Sequence, residues 1–134
     1  MTANETRVPI RCGLDIVTAR QKGRALAQEL GLDGADVTLV TAAISEVARN
    51  IVEYAESGEI VLQLVANGSR RGLCVVARDQ GPGIPDVAQA MQYGYSSRRG
   101  LGVGLPGAKL LMDEFDLVSK IGAGTTITMK KWKR

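Results

Sequence analysis

Arg99-Gly100-Leu101-Gly102-Val103-Gly104-Leu105-Pro106-Gly107 spaces its glycines ahead of an apolar helical pattern through Ala108, Leu110, Leu111 and Met112. Backbone without side chains lets a polyanion come close, and amides at a helix start can converge on it. Pro106 is tolerated only in a first turn, which independently places the helix N-terminus at the glycines. The stretch therefore reads as a phosphate cradle. The competing reading is a glycine hinge before a helix. Gly102-x-Gly104-x-x-Gly107 formally matches a dinucleotide fingerprint, but Tyr95-Ser96-Ser97-Arg98-Arg99 before it is too polar to be the required strand. No Gly-x-x-x-x-Gly-Lys-Ser/Thr occurs, and the absence of histidine excludes a His-Arg-Asp catalytic loop.

Upstream, the clearest helix is expected from about Asp36 to Ala55, with Val37, Val40, Ile44, Val47, Ile51 and Tyr54 along one face. Glu46 and Asn50 stack one turn apart at the border of that stripe, while Arg49 is expected to point elsewhere. Such a pair suits a solvated helix edge. If it faces a pocket, Asn50 offers a neutral oxygen to Mg2+ and Glu46 a base or water-orienting group.

Glu59–Ala66 alternates as a half-buried strand, and Leu73–Ala77 follows beyond the turn chemistry of residues 67–72 as the second arm of a hairpin with a longer loop. That strand ends at Arg78-Asp79. Gly81-Pro82-Gly83-Ile84-Pro85 then breaks regular structure. Asp79 at a strand end can accept from an exocyclic amine, and the glycines let a flat base approach. A short helix is expected over Asp86–Tyr93, and Gly94–Arg99 reads as a mobile segment able to close over a nucleotide.

At the two ends of the chain, Arg7–Cys12 suits an edge strand that tolerates Pro9, and Asp15 looks like the N-cap of a helix running to Leu30 and stopped by Gly31. Gly23 in that helix's apolar stripe suggests close helix packing. Phe115–Ile121 and Thr125–Trp132 form a last hairpin about Gly122-Ala123-Gly124. The expected fold is α+β: a two-layer sandwich with a mostly antiparallel mixed sheet and helices on one face, in a single domain over residues 1–134.

A net charge of +3 without interleaved aromatics argues against nucleic acid as partner, and Lys130-Lys131-Lys133-Arg134 reads as a solvated tail. Cys12 and Cys74 lack metal or redox spacing and read as buried free thiols in a reducing compartment. The absence of a leader-like or bilayer-spanning apolar run implies no membrane partner and a cytoplasmic location.

Taken together, Glu46-Val47-Ala48-Arg49-Asn50, Asp79-Gln80-Gly81-Pro82-Gly83, Gly100 to Leu105 and Gly122-Ala123-Gly124-Thr125 resemble, in order and spacing, the nucleotide boxes of the Bergerat-fold (GHKL) ATPases. The resemblance implies ATP and Mg2+ as cofactors, with Asn50 on the metal, Asp79 on the adenine amine and Thr125 near the base. It extends the nucleotide site to Gly81, Gly83, Ile84, Gly100, Leu101, Gly102, Val103, Gly104 and Leu105, with Glu46 as catalytic base and Arg98, Arg99 or Lys109 as phosphate contacts.

The absence of histidine sets aside histidine kinases, which need a phosphoacceptor histidine. The chain is similar to free-standing serine/threonine kinases of the anti-sigma-factor family, most of all to the stressosome switch kinases. That similarity implies STAS-domain antagonist and scaffold proteins as substrates, and a downstream output partner such as a PP2C-type phosphatase. The alternative it implies is an anti-sigma factor that sequesters a sigma factor and phosphorylates its antagonist. A degenerate domain that binds ATP without transfer fits less well, because Glu46 is present.

Overall fold

A computed structural model describes residues 5–84, 87, 91 and 104–134. Among them the elements are β1 (Thr6–Ile10), α1 (Gly13–Leu30), α2 (Gly34–Tyr54), β2 (Gly58–Asn67), β3 (Arg70–Asp79), α3 (Gly104–Leu111), β4 (Glu114–Lys120) and β5 (Gly124–Trp132). The strands form one sheet in the order β1-β2-β3-β5-β4, with every pairing antiparallel. β1 is an edge strand, where Pro9 costs no ladder bond on its open side. The two-layer α+β architecture is as expected, and the sheet holds no parallel pair among the described strands.

Register explains which sheet face the helices cover. Val8, Ile60, Ala77, Ile127 and Leu117 lie in one cross-strand row, and Leu62, Val75, Met129 and Phe115 in the next. Most of these are buried, together with Val37, Val40, Ile44, Val47 and Ile51 of α2, so the helix stripe and the sheet rows are two sides of one core. Burying an aliphatic side chain of this size stabilises by about 1.5–3 kcal/mol. Gly23 of α1 lets the helices touch: a Cβ there would run into Cδ1 of Ile44.

Several local expectations are corrected. The N-cap position of α1 is Cys12, and Asp15 lies inside the first turn, where its carboxylate accepts from the Arg11 amide at 2.8 Å. There it also complements the helix dipole. Cys12 is consequently exposed, and only Cys74 is buried. α2 starts at Gly34, because Asp33 caps it by accepting from the Asp36 amide at 2.8 Å.

The β2–β3 hairpin is tighter than its polar sequence suggests, since Asn67 pairs with Arg70 and only Gly68 and Ser69 remain as turn. Gly68 takes a φ of +64° there, which its missing Cβ permits. The basic C-terminus is not all solvated. Lys131 shares a row with Leu73 and is 4% exposed, with its Nζ donating to the Leu111 carbonyl at 2.9 Å. Asp36 and Asp113 lie at 3.8 and 3.7 Å from the same nitrogen, so one lysine ties the start of α2, the end of α3 and the end of β5.

Candidate nucleotide site

Helix α2 carries Glu46 and Asn50 toward the sheet end at which β3 stops. At the Glu46 end, Oε1 accepts from the Gly104 amide at 3.1 Å, so the carboxylate sits on the N-terminus of α3. Oε2 accepts from Arg49 at 3.0 Å. Arg49 therefore does not point elsewhere: i and i+3 are neighbours on a helix, and the arginine closes on the carboxylate. A negative charge on a helix N-terminus is favourable, and this is where a phosphate would also bind.

At the other end of the same helix, Ala55 packs against Gly81, where an added Cβ would meet the Ala55 Cβ at 2.6 Å. Gly81 follows Asp79, which is 8% exposed. Its Oδ1 accepts from the Gly81 amide at 2.9 Å and from the Thr125 amide at 3.2 Å. Its Oδ2 has no hydrogen-bond partner among the described residues. A buried carboxylate oxygen left open is costly unless a donor completes it. An exocyclic amine is such a donor.

The loop after Asp79 is held from the β4–β5 hairpin. The Gly122 amide donates to the Pro82 carbonyl at 2.9 Å, and the Ile84 amide donates to Oγ of Ser119 at 2.7 Å. Gly83 has φ +82° and lies on the Lys120 carbonyl; Gly124 has φ +97° and lies on the Asp79 carbonyl. At both, a side chain would be excluded twice over, by backbone conformation and by contact.

From Glu46 to Ala55 the helix rises about 13 Å at about 1.5 Å per residue, with Asn50 between the two ends. Asn50 is half-buried and its amide has no hydrogen-bond partner among the described residues. Thus the structure brings Glu46 to Gly104, with Leu105 next to it in the first turn of α3, and brings Asp79 to Gly81 and Thr125, with Gly83 and Ile84 held beside them; α2 runs from the first group to the second. Lys109 is exposed in the last turn of α3, away from the amide at Gly104. Arg98, Arg99, Gly100, Leu101, Gly102 and Val103 lie outside the described residues, as do most of the helix expected over 86–93 and the segment 94–99.

The described residues contain no cluster of three His, Cys, Asp or Glu side chains able to hold a metal. A Mg2+ ion commonly takes one or two protein oxygens and completes its shell with phosphates and water. Asn50 is the candidate oxygen. Two participants escaped the sequence reading. Arg49 had a readable signal in its i+3 spacing from Glu46. Ser119 had one in the hairpin register, which sets it opposite Thr125.

Residues 10–131 match the family described as histidine kinase-like ATPase domain. The chain belongs to that family. It is 50% identical over 131 residues to the serine/threonine-protein kinase RsbT of Bacillus subtilis, covering 98% of each chain. It is also 31% identical over 117 residues to an anti-sigma F factor of Clostridium kluyveri, covering 84% of this chain and 82% of that one. A solved structure of the RsbU and RsbW domains of a Mycobacterium tuberculosis protein superposes with a TM-score of 0.64 at 23% identity. It covers 97% of this chain, which spans 33% of the longer one, and the likeness extends to fold. The chain is thus a histidine kinase-like ATPase domain of the serine/threonine kinase kind and uses ATP. Among the described residues no helix is long and apolar enough to cross a membrane.

Proposed function

We propose that this kinase transfers the γ-phosphoryl group of ATP to a serine or threonine of a small STAS-domain antagonist or scaffold protein, as a cytoplasmic switch in bacterial stress-response partner switching. On release it would engage an output protein such as a PP2C-type phosphatase. The observation that carries the nucleotide half is Asp79: one oxygen of this buried carboxylate is fixed by two amides and the other has no hydrogen-bond partner among the described residues.

The residues divide the work by position. Asp79 accepts the adenine amine through Oδ2, beside the backbone of Gly81, Gly83 and Ile84. The amide of Gly104, at the N-terminus of α3 beside Leu105, meets the phosphates. Asn50 holds Mg2+, which when bound neutralises phosphate charge. A phosphate oxygen on the Gly104 amide takes the place of Glu46 Oε1 and frees that oxygen for the acceptor hydroxyl. Glu46 then removes the hydroxyl proton as the new O–P bond forms and the bond from γ-phosphorus to the bridging oxygen breaks, releasing ADP. Arg49 holds the other oxygen and so aims the base. Such transfer depends on positioning and charge stabilisation more than on covalent help.

The 50% identity to a full-length kinase favours this reading. The anti-sigma F relatives at about three-tenths identity support a second one, in which the chain sequesters a sigma factor. Pull-downs with ATP separate them: STAS proteins are retained in the first case and a sigma factor in the second. The catalytic assignment is tested by Glu46→Gln with radiolabelled MgATP and a STAS substrate. Transfer should fall by about 10²–10⁴-fold while nucleotide affinity stays within a few-fold. Transfer at nearly the unaltered rate would remove Glu46 as the base.

A further inference from the structure

The Ser119 hydroxyl on β4 joins two separate pieces of the site, the loop at Ile84 and the start of β5. It accepts from the Ile84 amide at 2.7 Å, lies 2.8 Å from Oγ1 of Thr125, and faces the Gly124 carbonyl at 3.4 Å. A serine hydroxyl has one proton and two acceptor positions. The Ile84 amide can only donate, so it takes one acceptor position. The proton then has two destinations, and the Gly124 carbonyl lies beyond the usual O–H···O range of about 2.5–3.0 Å.

Two proton arrangements follow, and they are unequal. If Ser119 donates to Thr125, every contact on Ser119 is short and the Thr125 proton is left to point at a ligand acceptor. If Thr125 donates to Ser119, the Ser119 proton is left with the 3.4 Å contact alone. In the first arrangement the bonds run in one direction, from the Ile84 amide through Ser119 to Thr125 and onward, and bonds in such a chain polarise one another. Thr125 is fixed beside Asp79, since its amide donates to Asp79 Oδ1. The site thus presents an acceptor and a donor side by side. Adenine offers the complement, an amine beside an unprotonated ring nitrogen; guanine offers a carbonyl beside an N–H.

We propose that Ser119 is a specificity-determining positioning residue, which orients the Thr125 hydroxyl as a donor toward the ring nitrogen next to the adenine amine. This rests on the reading of the residues around Asp79 as an ATP site and adds to it the second half of base recognition.

The test compares ATP with 1-deaza-ATP, which lacks that ring nitrogen, in binding titrations on the full chain. The unaltered chain should lose about tenfold in affinity on removal of the nitrogen, the worth of one net hydrogen bond. Ser119→Ala should bind ATP about tenfold more weakly and bind the two analogues within about twofold of each other. Ser119→Thr, which keeps the hydroxyl, should restore the discrimination, and Ser119→Cys should keep little of it. A merely structural loss would weaken both analogues equally and leave their ratio unchanged. If the unaltered chain binds ATP and Ser119→Ala or Ser119→Cys still discriminates as it does, Ser119 has no part in base recognition while the nucleotide reading stands. If the unaltered chain binds neither analogue, the nucleotide reading itself falls and this inference with it.

Discussion

As proposed, each oxygen of Asp79 has its own task, and the two can be separated chemically. Asp79→Asn keeps an oxygen for the amides of Gly81 and Thr125 but puts an NH2 group where an exocyclic amine needs an acceptor. Donor facing donor should cost ATP binding at least about a hundredfold, since it removes a charged acceptor and adds repulsion. The melting temperature should stay within a few degrees. Equal loss of stability and binding would mean that Asp79 is only a structural tie. The cysteines give a second contrast at this scale. Cys12 is exposed, whereas burial pushes the Cys74 thiol above its ordinary value, helped by Glu114 and opposed by Lys130. A maleimide at neutral pH should therefore label Cys12 first, with Cys74 reacting only on unfolding, as intact mass would report.

The elements meet at points where one methyl group decides the spacing. At the α1–α2 crossing, Gly23→Ala would set its Cβ on Cδ1 of Ile44, and overpacking of this kind destabilises by about 1–3 kcal/mol. Ile44→Val removes that terminal carbon. The double variant should then recover part of the loss, and a denaturation cycle that proved strictly additive would place the helices farther apart than described here. The β4–β5 hairpin is joined to the site in the same way. Gly124→Ala meets both a φ of +97° and the backbone of Asp79, so it should lower stability and nucleotide affinity together. Much at this scale was readable in advance. The apolar steps of α2, the edge position of β1 and the close-packing role of Gly23 follow from periodicity and residue size. The tight β2–β3 turn did not, because Asn67 and Arg70 to Gly72 are polar enough to pass for loop and only cross-strand pairing makes them strand.

Across the whole molecule, the group around Lys131 lies toward the end of the sheet away from Asp79, since Lys131 pairs with Leu73 near the start of β3 and Asp79 ends that strand. Asp113 accepts from the Trp132 amide and from Arg134, each at 2.8 Å, and faces Lys131 at 3.7 Å. Burial pushes its carboxyl up, but the Trp132 amide, Lys131 and Arg134 outweigh it and hold the group below its ordinary 3.8. A carboxyl lowered on folding contributes stability in full above its unfolded value, and the contribution is lost as pH falls through the folded one. Asp113→Asn should therefore cost about 1–3 kcal/mol at neutral pH. The gap between variant and unaltered protein should narrow as pH drops below 3.8 in urea titrations. A gap that stayed constant would show that the charge of Asp113 contributes nothing.

Glycines, prolines and the apolar period act on the chain within a few residues, so spacing alone fixed the helix at Pro106, the stripe of α2, the break after Asp79 and the α+β class. What spacing could not fix were contacts between distant segments. Lys131 looked like part of a basic tail until register turned it toward Asp36 and Asp113. Glu46 became the cap of a helix that begins 58 residues later. Ser119 acquired a role only when the β4–β5 pairing brought it to Thr125 and the loop at Ile84 packed over it. A hydrogen bond needs both partners within about 3 Å, and for residues far apart in sequence only the folded chain sets that distance.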